Sequence, residues 1–245
     1  MLETLNGSQL VVLLLCGFLI GFSKTGVPGL GLVVAPLMAW IFPARISTAL
    51  VLPALIIADI MTVAYYRRHA VWPHLIRLIP WVVIGIVAGW RIMAVINDAQ
   101  LKTIISVIVF VILGLNVVLG FKMNQSIPTK WWFAAIMGVL AGITTMLANA
   151  AGPIMTLYLL AMGLNKHEFI GTGSWYYLIG NLLKVPFSIQ LGLLTWSSVT
   201  CNLIQIPLIA LGAVMGIWIL KMIAEKPFRL IVQLLAAAAA IRLLF

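Results

Sequence analysis

The sequence predicts an all-α polytopic membrane protein made of two related, inverted halves, each a broken or re-entrant helix followed by three transmembrane helices. Three observations predict it. Hydrophobic residues make up 64% of the 245 positions and charged residues 8%, against about 45–50% and about 25% in a soluble domain. The apolar residues fall in runs long enough to cross a bilayer, which takes about 20 residues. A Gly- and Pro-rich interruption also occurs twice inside an apolar run. The first is Gly17-Phe-Leu-Ile-Gly21-Phe-Ser23-Lys24-Thr25-Gly26-Val-Pro28-Gly29-Leu-Gly31, and the second is Gly138-Val-Leu-Ala-Gly142-Ile-Thr144-Thr145-Met-Leu-Ala-Asn149-Ala-Ala-Gly152-Pro153. Interrupted hydrophobic segments at corresponding positions of two halves point to a transporter's binding site.

No stretch is long and polar enough for a soluble domain, so the chain reads as one membrane domain over 1–245, with repeat one at 9–122 and repeat two at 130–245. Repeat one holds a broken segment at 10–42 and spans at 46–66, 75–95 and 101–121. Repeat two holds a broken segment at 132–164 and spans at 169–189, 197–220 and 228–245. As a continuous helix, either broken segment would measure about 50 Å, against a hydrocarbon core of about 30 Å. Proline lacks an N–H, clashes with the carbonyl four residues back and pushes its predecessor out of the helical region, so both segments should break at these clusters. Non-helical backbone at that depth is tolerated only where it is buried in protein or lines an aqueous cavity. The repeat continues past the breaks: Pro80-x4-Gly85-x3-Gly89 returns as Pro207-x4-Gly212-x3-Gly216, and Asp59 aligns close to Asn181. Glycines four apart let helices approach closely, within a protomer or between two, which leaves a homodimer open.

The formal charge of +10 does not indicate nucleic acid, because the basic residues sit in short loops between apolar runs, as membrane orientation requires. The start, Met1-Leu-Glu-Thr-Leu-Asn6, has no basic n-region and no small-residue cleavage site, so no signal peptide is expected. If the broken segments fold back as hairpins with arms of about 13 residues, one side collects Arg67, Arg68, Lys122, Lys130, Lys166, Lys221, Lys226 and Arg229. The other side keeps Arg45, Arg91, Lys102 and Arg242. That bias is stronger than the one obtained if the segments span, and it makes the halves inverted with both termini outward.

Lys24 stands at mid-depth in the first break, where a lysine costs at least about 2.5 kcal/mol and needs a partner or a role. It meets an anionic substrate beside the N–H groups of a half-helix start, or it pairs with an acid such as Asp59. Ser23, Thr25, Thr144 and Thr145 put hydroxyls into the two breaks, for substrate or for bonding back to their own helix. Asn149 donates two hydrogen bonds and accepts others without charge; it binds substrate or caps the second half-helix. Gly26, Pro28, Gly29, Gly152 and Pro153 form the breaks and so border any site there. Asn181 and Lys184 share a helix face. Lys184 could take an anion or pair with Asp59, and Asp59 could carry a coupling proton or serve a structural ion pair. Trp175 and Tyr176 could wall a pocket, against a default of core packing. Trp72, Trp81, Trp131, Trp132 and Trp196 mostly flank spans and read as interfacial anchors. His69, His74 and His167 lack metal-ligand spacing, and Cys16 and Cys201 lie inside apolar runs as small core residues. Neither a metal nor another cofactor is expected.

With Gly21-Phe-Ser23-Lys24-Thr-Gly26-Val-Pro28-Gly29, the second-half run up to Pro153, and the late Gly171-Thr-Gly173…Asn181-x2-Lys184, the chain resembles the TauE/SafE sulfite exporter family of bacterial membrane proteins over nearly its whole length. The resemblance implies eight hydrophobic segments in two halves, residence in a bacterial cytoplasmic (inner) membrane, and export or uptake of small organosulfur anions such as sulfite, sulfoacetate and isethionate. The expected partners are then a small anionic substrate and the lipid bilayer. Thr144-Thr145 stand where the first break has Ser23-Lys24, so only one break supplies a cation, which suggests a substrate of low charge. The reading is a secondary transporter working by alternating access at the two breaks, with no Gly-x4-Gly-Lys-[Ser/Thr] loop for direct use of ATP. An anion channel is the alternative, which sequence separates poorly. An enzyme would need a nucleophile with a base or a metal cluster. Ser23 beside Lys24 is the sole candidate pair, and adjacent helical residues do not face each other.

Overall fold

Among the residues described in the computed structural model, which are 6–26, 34, 37–38, 42–97, 100–101, 131–224 and 227, every regular element is helical. In order they are α1 (Gly7–Thr25), α2 (Ala44–Tyr66), a 3-10 turn (Arg67–His69), α3 (Trp72–Val95), α4 (Trp131–Ala148), α5 (Gly152–Ala161), α6 (Lys166–Gln190), α7 (Trp196–Leu203) and α8 (Ile206–Met222). α1, α2, α3 and α4 are long and apolar enough to cross a membrane, and α8 is a shorter apolar helix. The chain is a multi-pass membrane protein. The expected spans at 101–121, apart from Leu101, and 228–245, and the break residues Pro28 and Gly29, lie outside the described residues.

The expected span at 197–220 is two helices. α7 stops at Leu203 and α8 restarts with Pro207 in its first turn, where the missing N–H and fixed φ do no harm. Polar side chains hold the corner. Asn202 Nδ2 donates to the Leu50 carbonyl (2.8 Å), and Gln205 Nε2 donates to Asn202 Oδ1 (2.7 Å). Pro80, its counterpart in the first half, stays inside an unbroken α3. Cys16 and Cys201 are buried free thiols.

The second predicted break is present, and α1 ends where the first is expected. α1 ends at Thr25, whose carbonyl accepts from the Tyr66 hydroxyl (3.3 Å). α4 ends before Asn149, a left-handed residue with φ 53°. The Asn149 N–H bonds the Thr145 carbonyl (3.0 Å) and the Ala150 N–H bonds that of Thr144 (3.3 Å). A left-handed residue at this position satisfies carbonyls that a helix end leaves open. α5 then returns along α4. The Tyr158 ring lies 6.0 Å from that of Phe133, in the first turn of α4, and its hydroxyl donates to the His74 carbonyl at the start of α3 (3.4 Å). The second broken segment is thus a helical hairpin. Its arms are unequal rather than about 13 residues each: 18 in α4 and 10 in α5.

Contacts fix the helix directions. α1 runs parallel to α8, with Gly17 on Gln205, Gly21 on Ile209 and Gly26 on Gly216. α3 runs parallel to α4, with Leu78 on Gly138, Gly85 on Gly142 and Gly89 on Met146. α2 and α6 run antiparallel, with Tyr66 on Gly171 and Asp59 on Asn181. A Cβ on Gly142 would lie 2.3 Å from the Val82 carbonyl oxygen, and one on Gly212 2.2 Å from that of Phe18. These glycines allow backbone to meet backbone, and they are used within the protomer, so they offer no face to a dimer.

One end of the bundle is basic. It holds the Arg67–His69 turn, Lys166, whose Nζ donates to the Ile223 carbonyl past α8 (2.8 Å), and Lys221, 5.7 Å from the Tyr65 ring. His69 and His167 lie ring to ring there at 5.3 Å. Thr172 accepts from the Val71 N–H (2.9 Å), and Gly171 packs on the turn, so the Gly171-Thr-Gly173 motif clamps this end. α1, α2 and α8 run toward it; α4, α6 and α3 run away. Each helix of the first set therefore has a polarity opposite to its sequence counterpart.

Candidate functional site

The two breaks meet at a cavity of about 90 Å³ lined by Ser23 and Lys24 of α1, Leu55 of α2, Thr145 of α4, Asn149, Ala151, Gly152 and Leu159 around α5, and Phe169, Ile170, Gly173, Ser174, Tyr177 and Asn181 of α6. Its polar wall is one connected chain of side chains. Lys24 Nζ sits 2.7 Å from Asp59 Oδ1 and 3.8 Å from the centre of the Tyr177 ring. Asn181 Nδ2 donates to Asp59 Oδ2 (2.6 Å). Lys184 Nζ donates to Asn181 Oδ1 (2.9 Å), Thr145 Oγ1 (3.2 Å) and Asn149 Oδ1 (2.5 Å). Asn149 Nδ2 donates on to the Thr48 carbonyl (3.0 Å).

Physical chemistry accounts for the arrangement. An isolated charge removed from water is very costly, so buried charges pair or collect hydrogen bonds. Asp59 is 0% exposed and answers Lys24, which is 13% exposed on the cavity wall. Lys184 is 2% exposed; its three N–H groups find three oxygen acceptors, the full complement of an ammonium. It also fixes both amides, since their oxygens must face Lys184 and their nitrogens face away.

Two sequence expectations become specific here. Lys24 lies in the last turn of α1, at a helix C-terminus; the amino end that borders the cavity belongs to α5, through Ala151 and Gly152. The second break is also not without a cation. Lys184 reaches it from α6, bonding Thr145 and Asn149 directly.

Of the residues singled out by sequence, the cavity gathers Ser23, Lys24, Thr145, Asn149, Gly152 and Asn181, with Asp59 and Lys184 immediately behind them. Pro153 lies in the first turn of α5. Others face elsewhere. The Thr25 hydroxyl donates to the Gly21 and Ala213 carbonyls (3.1 and 2.7 Å), and Gly26 packs on Gly216. The Thr144 hydroxyl turns back to the Leu140 and Ala141 carbonyls (2.8 and 3.2 Å). Trp175 packs on Trp72 at 5.1 Å, and Tyr176 is buried with its hydroxyl unpartnered among the described residues. Tyr177 and Ser174 were missed. The signal was available: 174, 177 and 181 recur at helical spacing on the face of Asn181, whereas 175 and 176 do not. Among the described residues no group of three or more His, Cys, Asp or Glu side chains could hold a metal.

Opposed helices, paired breaks and a charged cavity between them define a membrane protein of the transporter class. A comparison with known families sharpens this: the family model for the sulfite exporter TauE/SafE matches residues 13–243, nearly the whole chain, and the protein belongs to that family. No curated protein and no solved structure gave a match.

Proposed function

We propose that the chain is a secondary transporter that exports small organosulfur anions, such as sulfite or two-carbon sulfonates, across a bacterial cytoplasmic membrane by alternating access around the cavity. The observation that carries this reading is the cavity itself, where the Lys24 ammonium of one break faces the amino end of α5 in the other. Both features favour a small anion. A sulfonate's three oxygens suit a site that offers an ammonium, amide N–H groups and hydroxyls together. The opposed polarity of matching helices supports inverted halves that rock against each other. The basic end is the cytoplasmic one by the positive-inside rule. The cavity lining extends toward it as far as Phe169, near the start of α6, which suits loading from the cytoplasm. Asp59 is the candidate for a coupling proton, since protonation would release Lys24 from its ion pair.

The test is thermal stabilisation of the detergent-purified protein by sulfite, sulfate, thiosulfate, sulfoacetate, isethionate, taurine and acetate, followed by counterflow in liposomes. A ligand that binds only the folded state raises stability by mass action. A selective shift with sulfite or a sulfonate, lost in Lys24→Ala, together with counterflow, is the expected result. Flux without counterflow would replace the carrier with an anion channel, and a folded protein stabilised by no anion would overturn the reading.

A further inference from the structure

We propose that Asp59 sets the charge of the ligand, restricting the cavity to anions that carry one negative charge. This rests on the anion-carrier reading and narrows it, favouring hydrogen sulfite and isethionate over the dianions sulfite and sulfoacetate. The side chains that carry charge at the breaks, among the described residues, are Lys24, Asp59 and Lys184. Lys24 and Asp59 cancel at 2.7 Å. Lys184 is surrounded by three neutral acceptors, Thr145, Asn149 and Asn181, so among the described residues its charge is solvated by dipoles and has no anion of its own at contact. The assembly thus carries a surplus of one positive charge. A monoanion brings the buried assembly to neutrality. A neutral ligand leaves the surplus, and a dianion replaces it with an unpaired negative charge; both are costly in a desolvated site.

Asp59 is the selector because of where it stands. It is wholly buried behind Lys24 and takes no part in the cavity lining. It changes the field felt by a ligand without lining the cavity itself. Its counterpart in the second half is neutral Asn181, with which it shares a hydrogen bond; two neutral residues there would leave a surplus of two charges, and two acids would leave none.

The experiment uses three ligands built on one tetrahedral sulfur that differ in charge: dimethyl sulfone, methanesulfonate and sulfate. Binding to the purified full-length protein is measured for wild type, Asp59→Asn, Lys184→Met and the double variant. Wild type should prefer methanesulfonate. Asp59→Asn should move the sulfate-to-methanesulfonate affinity ratio toward sulfate by about tenfold or more, as expected for one unit charge within a few ångströms of the ligand. Lys184→Met should move preference toward dimethyl sulfone by a similar factor, which keeps the idea testable if Asp59→Asn folds poorly. The double variant restores the surplus of one and should restore the wild-type order. Ratios unmoved in both single variants, in a protein that still binds anions, overturn the charge selector alone. Wild type stabilised by no anion at all overturns the carrier reading and the selector with it.

Discussion

Each break holds a buried ammonium and its oxygen acceptors, with the elements that supply them exchanged. In the first, the broken helix supplies the cation, Lys24, and the neighbouring α2 supplies the acceptor, Asp59. In the second, the broken segment supplies the acceptors, Thr145 and Asn149, and the neighbouring α6 supplies the cation, Lys184. The two arrangements join through the Asp59–Asn181 hydrogen bond. Repetition in a fold therefore conserves the need for a satisfied buried ammonium at each break, not the identity of the residue that carries it. One break opposes its ammonium with a full charge and the other with dipoles, so the halves should respond differently to the same insult.

Removing each cation tests that difference most strongly. Lys24→Ala leaves Asp59 as a buried, unpaired carboxylate and should cost about 3–5 kcal/mol. Lys184→Ala strands only neutral oxygens and should cost about 1–3 kcal/mol. Chemical or thermal unfolding in detergent compares them, and equal losses would break the contrast. Adding Asp59→Asn to Lys24→Ala should recover much of the first loss and none of the anion binding.

Matching glycines test the symmetry next. Gly21→Val and Gly142→Val each drive a side chain into backbone of the opposite half, at the Ile209 and Val82 carbonyls. Each should cost about 3 kcal/mol. A large effect at one site alone would show that the packing is less equivalent than its geometry.

The smallest effect separates two adjacent threonines. Thr145→Val removes an acceptor from Lys184 and should cost about 1 kcal/mol, with weaker anion binding. Thr144→Val removes only a hydroxyl that bonds back within its own helix. It should change stability by under about 0.5 kcal/mol and leave binding intact. A binding loss in Thr144→Val would put that residue in the site after all.

The breaks were legible in the sequence because Gly and Pro interrupt apolar runs too long for one crossing, and Lys24 because an ammonium in an apolar run demands an explanation. The Gly85/Gly89 and Gly212/Gly216 pairs were legible as close-packing faces, but their partners lie in the other half and follow from no local pattern. The partners of Lys184 were hidden for the same reason: Asn149 and Thr145 come from a hairpin whose return over α4 only the fold establishes. The choice of Tyr176 over Tyr177 was a failure of phase. One residue turns a helical side chain by about 100°, and counting back from Asn181 would have chosen Tyr177. The interruption at Pro207 and the continuity at Pro80 look alike in sequence and differ through Asn202 and Gln205.

The pairing of α1 with α8 carries a consequence for how this protein is made. α1 leaves the ribosome long before its partner α8. At about 5–20 residues per second, α1 waits on the order of ten seconds or more for α8, whereas α3 meets α4 sooner. During that interval the small-residue face of α1 at Gly17 and Gly21 has no permanent neighbour. The newborn chain must be sheltered in the membrane until α8 arrives to close it.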